Sequence, residues 1–363
     1  MNEEIGFTTA LLAWYHTHRR ILPWREHPDP YRVWIAEIML QQTRIETVIP
    51  YFERFIDRLP TVADLAAVDA EVLYKLWEGL GYYRRAANVK QAAQLICDRH
   101  EGQVPAEIPT LLALPGIGTY TAGAIASIAF QHREIAVDGN VKRVIARVFG
   151  ITGPIDAIPT SKTIARLVRD GQPASRPGDY TQALMELGAI VCLPSGKPRC
   201  DDCPLLDRCV ARKQNAIAAI PAKTAKRPRK IERRTVFILH ADGRYFICKR
   251  PHTGLLADLW EFYNIEGFLE PEPAETHLRS LFGSVGTPKA LTERMHVFTH
   301  LEWHMRGYLV DLSDPQPRIT GTFVTLDELA SGYPLPGAFQ SFLEEIHQDV
   351  LNKDQLQLKA TKK

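Results

Sequence analysis

Four of the six cysteines of this chain fall within eighteen residues, Cys192, Cys200, Cys203 and Cys209, spaced Cys-x7-Cys-x2-Cys-x5-Cys. If the four serve one centre, they force the chain to wrap around it, and no other feature limits the fold as much. Soft thiolates select zinc or iron–sulfur clusters over hard cations. Structural zinc more often uses two separated Cys-x2-Cys knuckles. Three unequal gaps circling one point fit a 4Fe–4S cluster better. Zinc stays open on ligand chemistry alone, and scattered structural thiols are the bland alternative. Cys97 and Cys248 sit alone in apolar contexts and read as core thiols.

A thiolate cluster without a disulfide framework points to a reducing compartment, read as the cytoplasm. Met1-Asn2-Glu3-Glu4 has no secretory pattern, and no run approaches eighteen apolar residues, so no membrane span is expected. At 363 residues two domains are the default, and 45% hydrophobic with 24% charged residues reads as globular. A net charge of +2 decides nothing about partners. Its distribution says more: seven Lys/Arg stand between Lys223 and Arg234 against Glu232 alone, with Pro221 and Pro228 nearby. This reads as a basic, extended linker.

The periodicity changes at that linker. Before it, helical patterns dominate: Pro50 and Pro60 close one long helix, and Thr61 caps the next. Further helices are expected over 84–99, 120–130, 140–149, 160–170 and 178–191. After the linker, two apolar runs flank Ala241-Asp242-Gly243, a hairpin signal. Strands near 295–301 and 306–312 and helices near 274–282 and 338–346 make this half α+β. The expected organisation is an all-α domain over 1–221, a linker over 222–234, an α+β domain over 235–350 and a disordered tail over 351–363.

Leu114-Pro115-Gly116-Ile117-Gly118-Thr119-Tyr120-Thr121 is a tight turn leading into a helix. Gly116 and Gly118 let the backbone approach a ligand, and the helix N-terminus offers unpaired N–H groups suited to phosphate. Leu-Pro-Gly-x-Gly is the pattern of the helix-hairpin-helix element, which grips DNA backbone without reading sequence. Twenty residues on, Asp138 opens another helix, where an N-cap is the plain role. Glu37 is the sole ionisable residue between Arg32 and Arg44, in an apolar run. Such surroundings raise a carboxyl pKa and keep a proton available near neutrality; a Glu on a solvated helix stripe is the alternative.

Together, the hairpin, Asp138 and the cysteines make residues 30–209 resemble the helix-hairpin-helix DNA glycosylases with an iron–sulfur loop. The stretch Trp34-Ile35-Ala36-Glu37-Ile38-Met39-Leu40-Gln41-Gln42-Thr43 looks like the adenine glycosylase (MutY) branch. The resemblance implies Glu37 as general acid toward adenine and Asp138, with Asn140 beside it, as stabiliser of an oxocarbenium-like sugar. Bifunctional relatives carry a lysine where this chain has Tyr120, and Lys142 does not match that position, so base removal without strand cutting is implied. Gln42 and Tyr82 match positions that wedge into the duplex. Gly116, Gly118, Thr121, Lys197 and Arg199 would meet the DNA backbone. Trp24, Arg25, Leu40 and Gln182 would line the adenine pocket, although Leu22-Pro23-Trp24-Arg25 reads equally as core packing and a surface charge.

The second half resembles a Nudix domain around residues 254–262, yet Glu275 to Leu281 lacks the paired carboxylates of a hard-cation site. The resemblance implies a reader of 8-oxoguanine through a Phe-Ser-His loop, written here Phe298-Thr299-His300. It also implies a monomeric bacterial protein acting on double-stranded DNA with A:8-oxoguanine or A:G mispairs. The first cysteine gap is seven residues instead of the family's usual six, and one extra loop residue costs little. A pyrimidine-directed glycosylase/lyase, a non-catalytic lesion sensor and an active Nudix hydrolase are the competing readings.

Overall fold

The computed structural model describes residues 2–26, 28–222, 224 and 228–360. The chain divides into two compact units, Met1–Val68 with Ala87–Lys226 and Asp69–Ala86 with Arg227–Lys363. In chain order the helices of the first half are α1 (Asn2–His18), α2 (Pro23–Glu26), α3 (Pro30–Met39), α4 (Ile45–Arg58), α5 (Val62–Ala67), α6 (Ala70–Trp77) and α7 (Arg84–His100). They continue with α8 (Ile108–Leu112), α9 (Thr119–Ile128), α10 (Gly139–Phe149), α11 (Ile158–Gly171), α12 (Pro177–Ile190) and α13 (Val210–Lys213).

Local sequence sets these boundaries. Asp29 caps α3 by accepting the Arg32 N–H, with Pro30 at the first helical position. Thr61 and Asp64 form a reciprocal capping box at α5, and Gly150 ends α10 in the left-handed region at φ 67°. Pro50 lies inside α4 instead of closing a helix; the chain breaks earlier, at residues 40–44, so α3 and α4 are separate. A proline there removes one helical hydrogen bond and bends the helix without ending it. The core of the first unit joins Leu11 and Tyr15 to Val144, Ile145, Tyr180, Leu184 and Leu187. Each such side chain contributes about 1.5–3 kcal/mol on burial. Helix α9 is buried from Thr121 to Ile128 and built of small residues, because the Ile135 carbonyl passes 2.0 Å from where a Gly123 Cβ would stand.

The second unit is built on one sheet: β1 (Lys230–Ala241), β2 (Arg244–Lys249), β3 (Trp260–Phe262), β4 (Asn264–Glu266), β5 (Lys289–Ala290), β6 (Arg294–Val297), β7 (Leu301–Asp311) and β8 (Thr322–Val324). Its order is β3-β2-β1-β7-β5, with β4 on β1, β6 on β7 and β8 on β2. β1 and β7 run parallel from Lys230↔Leu301 to His240↔Asp311. Helices α14 (Pro271–Phe282), α15 (Leu326–Gly332) and α16 (Gly337–Ala360) complete it. Alternation puts Val236 and Ile238 against Phe339 and Phe342 of α16, and Phe237 and Leu239 against Leu278 and Phe282 of α14.

Three expectations change here. β1 begins at Lys230, inside the expected linker, because Arg234 lays its guanidinium 4.3 Å over the Trp303 ring and extends the pairing with β7. Residues 298–300 are not strand but the connection between β6 and β7. Helix α16 runs to Ala360 where a disordered tail was expected, through good helix formers such as Gln355, Leu356 and Leu358; Thr361–Lys363 lie outside the described residues.

Candidate active site

A cleft of about 870 Å³ opens in the first unit among the residues after α1, the C-terminal end of α3, the α8–α9 turn, the start of α10 and α12. That volume suits a small ligand. Trp24, Arg25, Glu37, Leu40, Gln42, Gly116, Gly118, Tyr120, Thr121, Asp138, Asn140 and Gln182 all line it. Lys197 and Arg199 do not; they are exposed on the cysteine loop. Tyr82 and Phe298, Thr299 and His300 belong to the second unit.

Glu37 is buried, and the Tyr120 hydroxyl donates to its Oε2 at 2.5 Å. Burial pushes the Glu37 carboxyl up to about 7 against the restraint of the Tyr120 bond; the Asp138 charge adds to the rise and Arg25 opposes it. Asp138 caps α10, its Oδ1 accepting the Val141 N–H at 2.7 Å and its Oδ2 the Asn140 amide at 2.8 Å. Burial raises Asp138 too, while the Val141 and Asn140 donors pull it back. One carboxyl that favours its proton near neutrality and one held by N–H donors can divide acid and anionic work. Arg143 donates to Asn140 Oδ1 at 2.8 Å and so fixes the amide that faces Asp138.

The hairpin turn has the expected geometry. Gly116 takes φ 78°, and a Cβ there would stand 2.8 Å from Asn88 Cβ. Gly118 precedes α9 as an N-cap without a side-chain bond, and nothing lies within 4 Å of where its Cβ would be. The backbone is therefore open to a ligand at that helix start. Gln42 has φ 59° and Tyr82 φ 50°, left-handed conformations uncommon outside glycine and asparagine. Such positions cost on the order of 1–3 kcal/mol and cluster at functional sites.

Trp24 is buried and packs edge-on against Phe52, and Arg25 is no surface charge. Its Nη2 donates to Glu186 Oε2 at 2.8 Å, while Arg20 Nε donates to Glu186 Oε1 at 2.8 Å. Burial would raise Glu186, but the hydrogen bonds from Arg20 and Arg25 hold it down to about 2. Glu186 lines the cleft and sequence reasoning passed over it. The signal was there: a lone acid in Ala183-Leu184-Met185-Glu186-Leu187-Gly188, the same pattern that singled out Glu37.

Cys192, Cys200, Cys203 and Cys209 all line a second cavity, with Val144, Leu187, Leu206 and Ile217 beside them. Among the described residues no three Cys, His, Asp or Glu donors converge on one ion position. The four cysteines, which fall within eighteen residues of the chain, share one cavity. In the second unit, Phe298 packs 5.0 Å from the Trp303 ring, and its N–H is bonded to Leu301 O, closing the turn that exposes Thr299 and His300. Tyr82 and Thr299 share a hydroxyl–hydroxyl bond of 2.9 Å.

Known proteins resemble both halves. Residues 35–170 match the HhH-GPD superfamily of base excision DNA repair proteins, and residues 234–345 match the NUDIX domain. An adenine DNA glycosylase of Rattus norvegicus is 34% identical over 379 residues, covering 87% of this chain and 72% of that protein. One from Buchnera aphidicola (Schizaphis graminum) is 32% identical over 308 residues, covering 85% of this chain and 88% of that protein. A solved thermostable thymine-DNA glycosylase aligns with 59% of this chain and 98% of its own, at TM-score 0.54 and 29% identity.

Proposed function

The chain belongs to the adenine DNA glycosylase family and is a DNA N-glycosylase; from that premise we propose that it hydrolyses the N-glycosidic bond of adenine mispaired with 8-oxoguanine or guanine in double-stranded DNA, leaving the strand intact. The carrying observation is the pairing of a buried Glu37, bonded to Tyr120, with the donor-held Asp138 in one cleft.

Glu37 gives its proton to a ring nitrogen of adenine. The bond between C1′ and the base then breaks with its electron pair going to the adenine, which leaves as a neutral base. The Asp138 carboxylate stabilises the positive character left on the sugar. Water adds at C1′, and its proton returns to a carboxylate of the site. Tyr120 orients Glu37 and, being a phenol, forms no imine with the sugar, so no elimination route opens. Arg25, set by Glu186, and Trp24, Leu40 and Gln182 hold the extruded base. Gln42 and Tyr82 each wedge into the duplex. Gly116, Gly118, Thr121, Lys197 and Arg199 meet the phosphate backbone, and Phe298, Thr299 and His300 read the opposite base. The protein acts as a monomer in the bacterial cytoplasm.

Four soft thiolate donors at three unequal gaps, all lining one cavity, fit a polynuclear cluster better than a single zinc ion, so Cys192, Cys200, Cys203 and Cys209 would hold a 4Fe–4S cluster. Holding such a cluster would tie residues 192–209 together and steady the loop that carries Lys197 and Arg199.

The test is release of free base, by mass spectrometry, under single-turnover conditions from duplexes with adenine opposite 8-oxoguanine, guanine or thymine. Adenine should be freed fastest opposite 8-oxoguanine and slowest opposite thymine, while Glu37→Gln and Asp138→Asn bind without releasing it. Equal rates on the three duplexes would sink the mispair reading. Wild-type rates in Glu37→Gln would sink the acid assignment.

A further inference from the structure

Two arginines one turn apart on α10 reach the start of the cysteine loop. Arg143 donates to Cys192 O at 2.7 Å and to Gly188 O at 2.8 Å, and through Asn140 it belongs to the carboxylate site. Arg147 is used differently. It is buried, and its Nη1 lies 3.3 Å from Cys192 Sγ, a sulfur hydrogen-bond distance. The same nitrogen donates to Leu193 O at 2.9 Å, and Nε donates to Ile220 O at 2.8 Å. The Arg147 carbonyl oxygen lies 3.5 Å from Cys209 Sγ. One residue thus touches the first and last cysteines and the chain on both sides of the loop.

No carboxylate pairs with Arg147 among the described residues; its partners are carbonyls and one sulfur. A buried guanidinium without an anion is costly. A cluster held by four thiolates is net anionic, and hydrogen bonds to its sulfurs and nearby charge set its potential. Resting on the cluster reading above, we propose that Arg147 is a positioning and tuning residue for the cluster. It donates to the Cys192 thiolate and offsets the cluster's negative charge, which raises the reduction potential and slows oxidative loss. The sign follows from chemistry: a donor and a positive charge both favour the more electron-rich state.

The experiment compares the full chain with its Arg147→Gln and Arg147→Lys variants. Iron and sulfide content and the visible cluster absorption are measured first, then the midpoint potential of the molecules that retain the cluster, and the rate of bleaching by ferricyanide. For Arg147→Gln the expected result is a reduced-to-oxidised ratio about tenfold lower at fixed potential, which is about 59 mV for a one-electron couple, with faster bleaching. Arg147→Lys keeps charge without the planar fork and should fall between the two; it carries the test if the glutamine variant does not fold. Lower cluster yield with an unchanged midpoint in the surviving molecules would mean a merely structural role and would overturn the proposal. Wild-type protein containing no iron or sulfide would instead overturn the cluster reading itself, an outcome no midpoint comparison can imitate.

Discussion

Glu37→Gln should make the first unit more stable and the enzyme inert, two consequences of the same burial. Burial, against the Tyr120 bond, lifts the Glu37 carboxyl from 4.5 to about 7. That rise is roughly 2.5 pH units, or about 3.5 kcal/mol at about 1.4 kcal/mol per unit. The folded chain holds a proton that the unfolded chain releases, so stability is unaffected by this group below about 4.5 and declines as pH rises to about 7. Above that the whole of about 3.5 kcal/mol is lost. Glutamine is neutral throughout, can still accept the Tyr120 bond, and escapes the loss. Hydrogen exchange of α3 and α9 amides measures the difference in the unit concerned. At pH 8.5 the variant should exchange on the order of a hundredfold more slowly than wild type through global opening, and at pH 4.5 about equally. Single-turnover adenine release should meanwhile fall by about 10²–10⁴, the usual worth of a general acid. A variant that gains no protection at pH 8.5, or gains it equally at pH 4.5, would refute the claim that burial holds the proton on Glu37.

Glu186→Gln leaves Arg20 and Arg25 without their carboxylate and should cost about 3–5 kcal/mol, seen as earlier thermal unfolding at pH 7; the wild-type advantage should fade as pH drops from the usual glutamate value toward 2. Tyr120→Phe removes the bond that restrains Glu37, so the pH at which adenine release declines should move upward; an unmoved or lowered limb would contradict that. Thr299→Val deletes the hydroxyl bonded to Tyr82 and should reduce the preference for 8-oxoguanine over guanine by about tenfold, roughly one lost hydrogen bond, measured by competition between the two duplexes.

Helices with caps and one apolar stripe were legible: Thr61, Asp138 and the Asp242-Gly243 hairpin behave as their local chemistry demands. So was the burial of Glu37, a lone acid in an apolar run. Glu186 carried the same mark, but its meaning depends on Arg20 and Arg25, more than 160 positions away, and no local pattern announces such a pairing. The linker's last residues read as solvated because seven basic side chains dominate the composition. The structure turns Arg234 onto Trp303, a cation–π contact that hydropathy scores as polar. Residues 69–86 fall inside the all-α domain expected over 1–221, yet they cluster with the sheet unit through Lys249 to Glu71 and the Leu335 N–H to Glu78. Gln42 and Tyr82 take left-handed backbone that neither residue type advertises.

In this mechanism a protonated Glu37 expels adenine while Tyr120 leaves the sugar uncut. One measurement tests both parts: the pH dependence of single-turnover excision from a duplex with adenine opposite 8-oxoguanine, with alkali added only after the reaction. The rate should decline as pH rises through about 7, and strand breaks should appear only after alkali. A rate indifferent to pH across that range, or breaks present before alkali, would contradict this mechanism.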